Sequence, residues 1–325
     1  MADRIKVLML QPIHEVGLKL FDDRFEVIVA KDPSPAEVVK DLAGVQGIIV
    51  RVAGCPREII DAAPDLKVIA KHGVGPDNID VAAATERGIL VLNTPEANAV
   101  SVAEHTVTAI GALAKRAVFM DRAMRSGNWK ARGELKAIDL DGKVLGLVGT
   151  GRIGTQVALK AQAAFNMQVI AYDPFVKPEV AAANGITLVS DLAQVFRAAD
   201  VVSIHTPLTP QTRNLVSAEL IGAMKPTAFL VNFARGEVVD EAALIAALQG
   251  EKIAGAALDV FQQEPPALDN PLLKLDNVLL SPHSAAQTKE CVIRMSTTTA
   301  RGVIDALTGV RPQYIYNPEA LSKGK

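Results

Sequence analysis

Short apolar runs rich in Val, Ile and Leu alternate with stretches in which apolar positions recur at helical spacing, along almost the whole chain. Ile5–Leu10, Glu26–Ala30, Gly47–Val50, Leu66–Ala70 and Ile89–Leu92 read as strands, with helices expected near Pro12–Asp22, Pro35–Leu42, Arg57–Ala62 and Ile79–Arg87. Near-continuous apolar strands separated by helices are the pattern of a parallel sheet covered on both faces. A long helix is expected from Val102 to Arg125, opened by a Ser101/Glu104 capping box and stopped at Gly127. The alternation then restarts, with strands expected at Val144–Val148, Val169–Tyr172, Val201–His205, Ala228–Phe233, Ala254–Val260 and Val278–Ser281. Helices are expected at Ile153–Phe165, Leu192–Ala198, Ala218–Met224, Glu241–Leu248 (with Asp240 as N-cap) and Gln287–Leu307. The fold class is therefore α/β, with two doubly wound parallel-sheet domains.

Composition narrows the classes of function. The 325 residues are 49% apolar and 22% charged, with 34 basic against 36 acidic side chains, a net charge of −2. That balance offers no basic field for nucleic acid or a membrane surface, and 4% aromatics supply no base-stacking platform. No run approaches the ~18 apolar residues of a membrane span, and MADRIKVLML reads as a strand and not as a leader, so a cytoplasmic protein is expected. Cys55 and Cys291 have no metal-ligand spacing, and no metal is expected.

One loop points to a ligand. The strand Lys143–Val148 runs into Gly149-Thr150-Gly151-Arg152-Ile153-Gly154, and a helical pattern follows at once. The first glycine permits the tight turn, the second a close approach of backbone to a pyrophosphate, and the third close packing of helix on strand. Helix-terminal amides at Arg152 and Ile153 would hold the anion. Asp173 ends the next strand, where an acidic residue accepts hydrogen bonds from the adenosine ribose and repels a 2′-phosphate, favouring NAD over NADP.

A hydride carrier needs a group to handle the accompanying proton. His283 follows the strand Val278–Ser281, Arg235 follows Ala228–Phe233, and Glu264 lies just beyond Val260. Strand C-termini face the ligand crevice in open α/β sheets, an arginine fork holds a carboxylate, and a carboxylate beside an imidazole fixes its tautomer. The bland readings are a backbone-bonded loop histidine, a surface ion pair and a solvated turn residue. His205 ends a strand too but reads as a supporting residue, and His105 as a packed or solvated helix residue.

Five ordered motifs tie these residues together. They are His72-Gly73-Val74-Gly75-Pro76-Asp77-Asn78-Ile79-Asp80, His205-Thr206-Pro207-Leu208-Thr209, Asn232-Phe233-Ala234-Arg235-Gly236 with Val239-Asp240, Ala257-Leu258-Asp259-Val260-Phe261-Gln262-Gln263-Glu264-Pro265, and Ser281-Pro282-His283. In these the chain resembles the D-2-hydroxyacid dehydrogenase family along essentially its whole length. The resemblance implies a Rossmann-type NAD-binding domain at 99–289, inserted into a flavodoxin-like substrate domain made of 1–98 plus 290–325. It implies reversible hydride transfer between NAD(H) and a small 2-hydroxy or 2-oxo acid, most simply 3-phosphoglycerate or hydroxypyruvate/glyoxylate.

The same resemblance implies roles. Arg235 would clamp the substrate carboxylate and polarise its 2-oxo group, His283 would donate and recover the proton, and Glu264 would hold His283 in orientation. The amides around Gly73, Val74 and Gly75 would also bind the carboxylate. Thr206, Ala234 and Asp259 join Gly149, Gly151, Arg152, Ile153, Gly154 and Asp173 as expected cofactor contacts. Arg51 and Lys71 are either contacts to a phosphate or carboxylate at the substrate's far end or ordinary surface charge. His72 and the Trp129–Arg132 segment stay open in the same way. With only about forty residues after His283, no C-terminal regulatory domain is expected. A homodimer is implied. The competing reading is a dinucleotide-sensing binding protein, like the corepressors that reuse this fold.

Overall fold

The computed structural model describes residues 4–134 and 136–323. The chain opens with β1 (Ile5–Met9), α1 (Glu15–Leu18), β2 (Phe25–Val29), α2 (Pro35–Val38), β3 (Val45–Val50), α3 (Arg57–Ala62), β4 (Val68–Lys71), α4 (Val81–Glu86) and β5 (Leu90–Leu92). It continues through α5 (Ala99–Ala114), α6 (Ala117–Arg125), β6 (Val144–Val148), α7 (Arg152–Phe165), β7 (Gln168–Tyr172), α8 (Pro178–Ala182), β8 (Ile186–Leu188) and α9 (Leu192–Ala198). Then come β9 (Val201–Ile204), α10 (Ala218–Gly222), β10 (Phe229–Asn232), α11 (Glu241–Gln249), β11 (Gly255–Leu258), β12 (Val278–Leu280) and α12 (Lys289–Leu307). Two compact units result, Met1–Asn98 with Gln287–Lys325, and Ala99–Ala286, so the second interrupts the first.

The first unit is a five-stranded sheet in the order β2-β1-β3-β4-β5, every pair parallel. This is the flavodoxin-like order. Alternate residues of its strands serve opposite cores, as a period of two requires. Leu8, Ile48, Val50, Ile69 and Val91 pack with α3 and α4. Val7, Met9, Ile49, Val68 and Leu92 pack against Ala300 and Val303 of α12. The chain beyond α12 then ties back to the edge strand. Asn317 accepts from the Val91 amide at 2.7 Å and donates to Ile89 O and Thr85 Oγ1.

The second unit is a seven-stranded parallel sheet in the order β12-β11-β10-β9-β6-β7-β8. Read from β6, that is the Rossmann order with one further strand, and the order reverses at β6. The register carries the consequence for function. Val148, Tyr172, Ile204, Asn232, Leu258 and Leu280 are mutual partners across the sheet. Six strands thus end in one row, and the residues just past that row are Gly149, Asp173, His205, Phe233, Asp259 and Ser281.

Two expectations need correcting, and two elements were not foreseen. The long helix is two: the Ala114 carbonyl accepts from the Ile138 amide, and Arg116 turns left-handed (φ 50°), held by Glu134 at 2.9 Å and by its guanidinium 3.8 Å over the Phe119 ring. The Ser101/Glu104 capping box does not form, because α5 starts at Ala99 and Ser101 is buried inside the helix. Finally, β8 and α8 are too short to print a period, and neither was expected from the sequence. Asp240 does cap α11, accepting from the Ala243 amide at 3.0 Å.

Candidate active site

The glycine loop occupies the reversal point of the second unit's sheet. The Gly149 amide donates to Tyr172 O and the His205 amide to Val148 O, so the loop leaves directly from the sheet. Gly149 is at φ 95°, and a Cβ at Gly154 would overlap the Gly149 carbonyl oxygen, so both positions exclude any larger residue. At Gly151, the cap of α7, a Cβ would meet nothing within 4 Å. Beside this open cradle Thr206 Oγ1 is buried and has no hydrogen-bond partner among the described residues. An orphaned buried hydroxyl costs about 1–3 kcal/mol, which a ligand group can recover. A helix N-terminus, an uncovered glycine and an unsatisfied hydroxyl fit the pyrophosphate-bearing dinucleotide expected there.

Asp173 stands past β7 and does two things at once. Its Oδ2 accepts from the Thr150 amide (2.7 Å) and from Thr150 Oγ1 (3.0 Å), while Oδ1 accepts from the Phe175 amide. The residue expected to face the ribose therefore also braces the loop that would face the phosphates.

The three chemistry-bearing residues lie along the other half of the row. Asn232 is buried; its amide donates to Arg235 O (2.9 Å) and its carbonyl accepts from the Ala234 amide (3.1 Å). This staple turns the chain so that Arg235 is extended and half-buried, with Nη1 donating to Ala234 O. A Cβ at Gly236 would overlap the Phe261 carbonyl, so the arginine turn and the glutamate segment press backbone to backbone.

Glu264 Oε2 lies 2.7 Å from His283 Nδ1, and Glu264 Oε1 accepts from the Phe261 amide at 3.1 Å. Burial works against ionisation of Glu264. The hydrogen bond and charge of His283, the Phe261 amide and the charge of Arg235 together outweigh it and hold the carboxyl below its usual range.

His283 itself is left-handed (φ 50°), an unusual conformation for a residue with a Cβ. Its surroundings over-determine it. The His283 amide donates to Asp259 O at 2.8 Å, and the buried Asp259 carboxylate accepts from Ser281 Oγ (2.6 Å), the Ser284 amide (2.7 Å) and the Ala285 amide (2.9 Å). Asp259, expected as a cofactor contact, is thus placed under the His283 turn as its anchor. His105 reaches the same cluster, with Nε2 3.3 Å from Ser281 Oγ and its ring against Phe233. Asn232, Ser281 and Thr150 were not singled out from the sequence. Their signal was available, since each is a polar residue at a strand end where the flanking pattern demands burial.

His205 lies beneath the glycine loop with Nε2 2.9 Å from Ser203 Oγ, and desolvation pushes its imidazole down to about 4 from 6.5.

In the first unit, Gly73–Gly75 follow β4. Gly73 O accepts from the amide and hydroxyl of Thr94, and Val74 O accepts from Asn93 Nδ2 at 2.8 Å, so the loop's carbonyls are fixed from one side. His72, left open by the sequence, packs against α12. The ring is buried with Nε2 2.9 Å from Ser296 Oγ on α12, and desolvation, then the charges of Arg51 and Lys71, push it down to about 4. Lys71 Nζ donates to Arg51 O and Asn78 Oδ1, both at 2.6 Å, and Arg51 Nη1 donates to Pro12 O. Trp129–Gly133 form an exposed 3-10 turn in the second unit, with Arg132 near the Trp129 ring. Both cysteines are buried and neither is in a disulfide, and burial, with the nearby Asp80, pushes the Cys55 thiol up to about 12.

Comparison with known proteins places the chain in a class. Residues 107–285, over half of the chain, match the NAD-binding domain of the D-isomer specific 2-hydroxyacid dehydrogenases. The chain belongs to that family. It is 42% identical to D-3-phosphoglycerate dehydrogenase of Methanocaldococcus jannaschii over 96% of its own length and 59% of the relative's. It is 40% identical to glyoxylate reductase of Thermofilum pendens, over 98% of this chain and 96% of that one. It superposes with a TM-score of 0.87, at 30% identity and 98% coverage of each chain, on an NADPH-dependent glyoxylate/hydroxypyruvate reductase from Sinorhizobium meliloti in complex with NADP and malonate. The chain spans under two thirds of the length of the phosphoglycerate dehydrogenase relative. Among the described residues no helix is long and apolar enough to cross a membrane.

Proposed function

We propose that this chain is an NAD-dependent 2-hydroxyacid dehydrogenase acting on a small 2-hydroxy or 2-oxo acid, in the range of 3-phosphoglycerate, hydroxypyruvate and glyoxylate. The observation that carries the reading is the 2.7 Å pair between His283 Nδ1 and Glu264 Oε2, set in the same row of strand ends as Arg235. Bound NAD(H) supplies or accepts the hydride. With Nδ1 committed to Glu264, Nε2 of His283 is the nitrogen left to give a proton to the 2-oxo oxygen on reduction and to take it back on oxidation. Arg235 binds the substrate carboxylate and draws electron density from the adjacent carbonyl. Amides of Gly73, Val74 and Gly75 serve the same carboxylate. Arg51, with one nitrogen on Pro12 O, keeps its remaining donors for the substrate's far end.

NAD is the preferred cofactor in this reading, although the Sinorhizobium neighbour is named NADPH-dependent. Asp173 would meet a 2′-phosphate with a carboxylate. The relatives are named as enzymes, which favours turnover over dinucleotide sensing. A homodimer and a cytoplasmic setting complete the reading, on the family resemblance.

The test is NADH absorbance with hydroxypyruvate, glyoxylate, pyruvate and phosphohydroxypyruvate, each repeated with NADPH. Turnover on at least one, lost in His283→Ala, is expected. Tight NADH binding with no turnover on any of them would count against the assignment and return the sensing role.

A further inference from the structure

We propose that the first unit carries a second binding site, for a small α-amino acid, where the ends of β4 and β5 meet the face of α12. A cavity of about 100 Å³ opens there, lined by Lys71, Asn93, Thr299, Arg301, Asp305 and Tyr314, among others. That is several times the share of liquid volume taken by one water, and it suits a molecule of a few heavy atoms.

Two observations specify the occupant, both on α12, where the lining residue Thr299 is itself buried with no hydrogen-bond partner for its Oγ1 among the described residues. Arg301 and Asp305 stand one helical turn apart on α12 and both line the cavity. At that spacing they could have neutralised each other. Neither side chain has a hydrogen bond or ion pair among the described residues. A guanidinium fork beside an unpaired carboxylate matches a molecule with a carboxylate and an ammonium on neighbouring atoms. An anion alone would leave Asp305 opposed, and a cation alone would leave Arg301 opposed.

The site is coupled to the chemistry by one side chain. Asn93, in the cavity wall, is also the residue that holds Val74 O at 2.8 Å. An occupant that recruits the Asn93 amide group would loosen the Gly73–Gly75 loop, so filling the cavity is expected to raise the KM for the 2-oxo acid with little change in kcat. This coupling rests on the function proposed above; the binding itself does not.

Calorimetric titration of the full chain with glycine, L-alanine and L-serine tests the site without turnover, with acetate and methylamine as half-ligands. One saturable site is expected for at least one amino acid, weakened roughly tenfold or more in Arg301→Gln and in Asp305→Asn, with each half-ligand weaker by a similar factor. Both variants alter solvent-accessible groups, and melting temperatures near wild type would show that they fold. Failure of every amino acid to bind into the millimolar range would overturn the site. So would binding unchanged in both variants, and acetate binding as tightly as the amino acids would overturn the zwitterionic assignment. An unchanged KM at saturating amino acid would overturn the coupling through Asn93.

Discussion

Both sheets are parallel, doubly wound and finished by loops at their C-terminal ends, yet the two sets of loops are equipped in opposite ways. In the seven-stranded unit the backbone is pinned so that side chains project. Asn232 staples the arginine turn, and Asp259 anchors a left-handed His283 whose ring is half exposed. In the five-stranded unit the side chains are pinned so that backbone is presented. Lys71 bonds the Arg51 main-chain oxygen, His72 is buried against Ser296, and Asn93 and Thr94 tie the glycine loop by its carbonyls. Charged residues at strand ends are thus ambiguous taken singly.

The sharpest way to break this contrast is to remove the projecting group. His283→Ala is expected to cost about 10²–10⁴-fold in kcat, the usual worth of a general acid, with NADH binding retained. A near-normal rate would remove His283 from the mechanism. Next comes the pinned backbone. Gly236→Ala drives a methyl into the Phe261 carbonyl and should destabilise the second unit by about 1–3 kcal/mol, read as a lowered urea midpoint. A smaller effect is expected at Asp173, where Asp173→Ala should reduce discrimination against NADPH by roughly tenfold and also weaken NADH, because the Thr150 brace goes with it. Unchanged cofactor preference would refute its ribose role.

The mildest test uses acid. His72 and His205, one in each unit, are held down to about 4 from 6.5, so between those values the unfolded chain binds protons that the folded chain does not. Stability therefore falls as pH drops through that window and is fully present above it. Replacing either histidine by Gln should flatten the dependence of melting temperature on pH, and a slope that stays the same would show that the imidazole is not held neutral. Glu264 acts lower on the scale. Its lowered carboxyl contributes above the ordinary carboxylate range and loses that contribution as pH falls through its folded value.

Much of this was legible in the chain. Strand positions followed from apolar runs, and Val144–Val148, Leu192–Ala198 and Arg57–Ala62 match the structure residue for residue. The glycine loop was legible because strand, glycines and helix are contiguous. What stayed hidden is whatever depends on a distant partner. The break at Arg116 needs Ile138 and Glu134, which no local period can reveal. The anchoring of His283 needs Asp259, over twenty residues earlier. The fate of His72 needs Ser296, 224 residues away.

That last separation bears on how the molecule is made. Synthesis delivers all five strands of the first sheet, then the entire second unit, before α12 exists to cover the face formed by Val7, Met9, Ile49, Val68 and Leu92. Until then those side chains lack Ala300 and Val303 of that helix, while the second unit has every residue it needs to close its own cores. Of the two units, the one whose strands are translated earlier is therefore the one completed later. The nascent first unit is the stretch where chaperone capture and aggregation should concentrate.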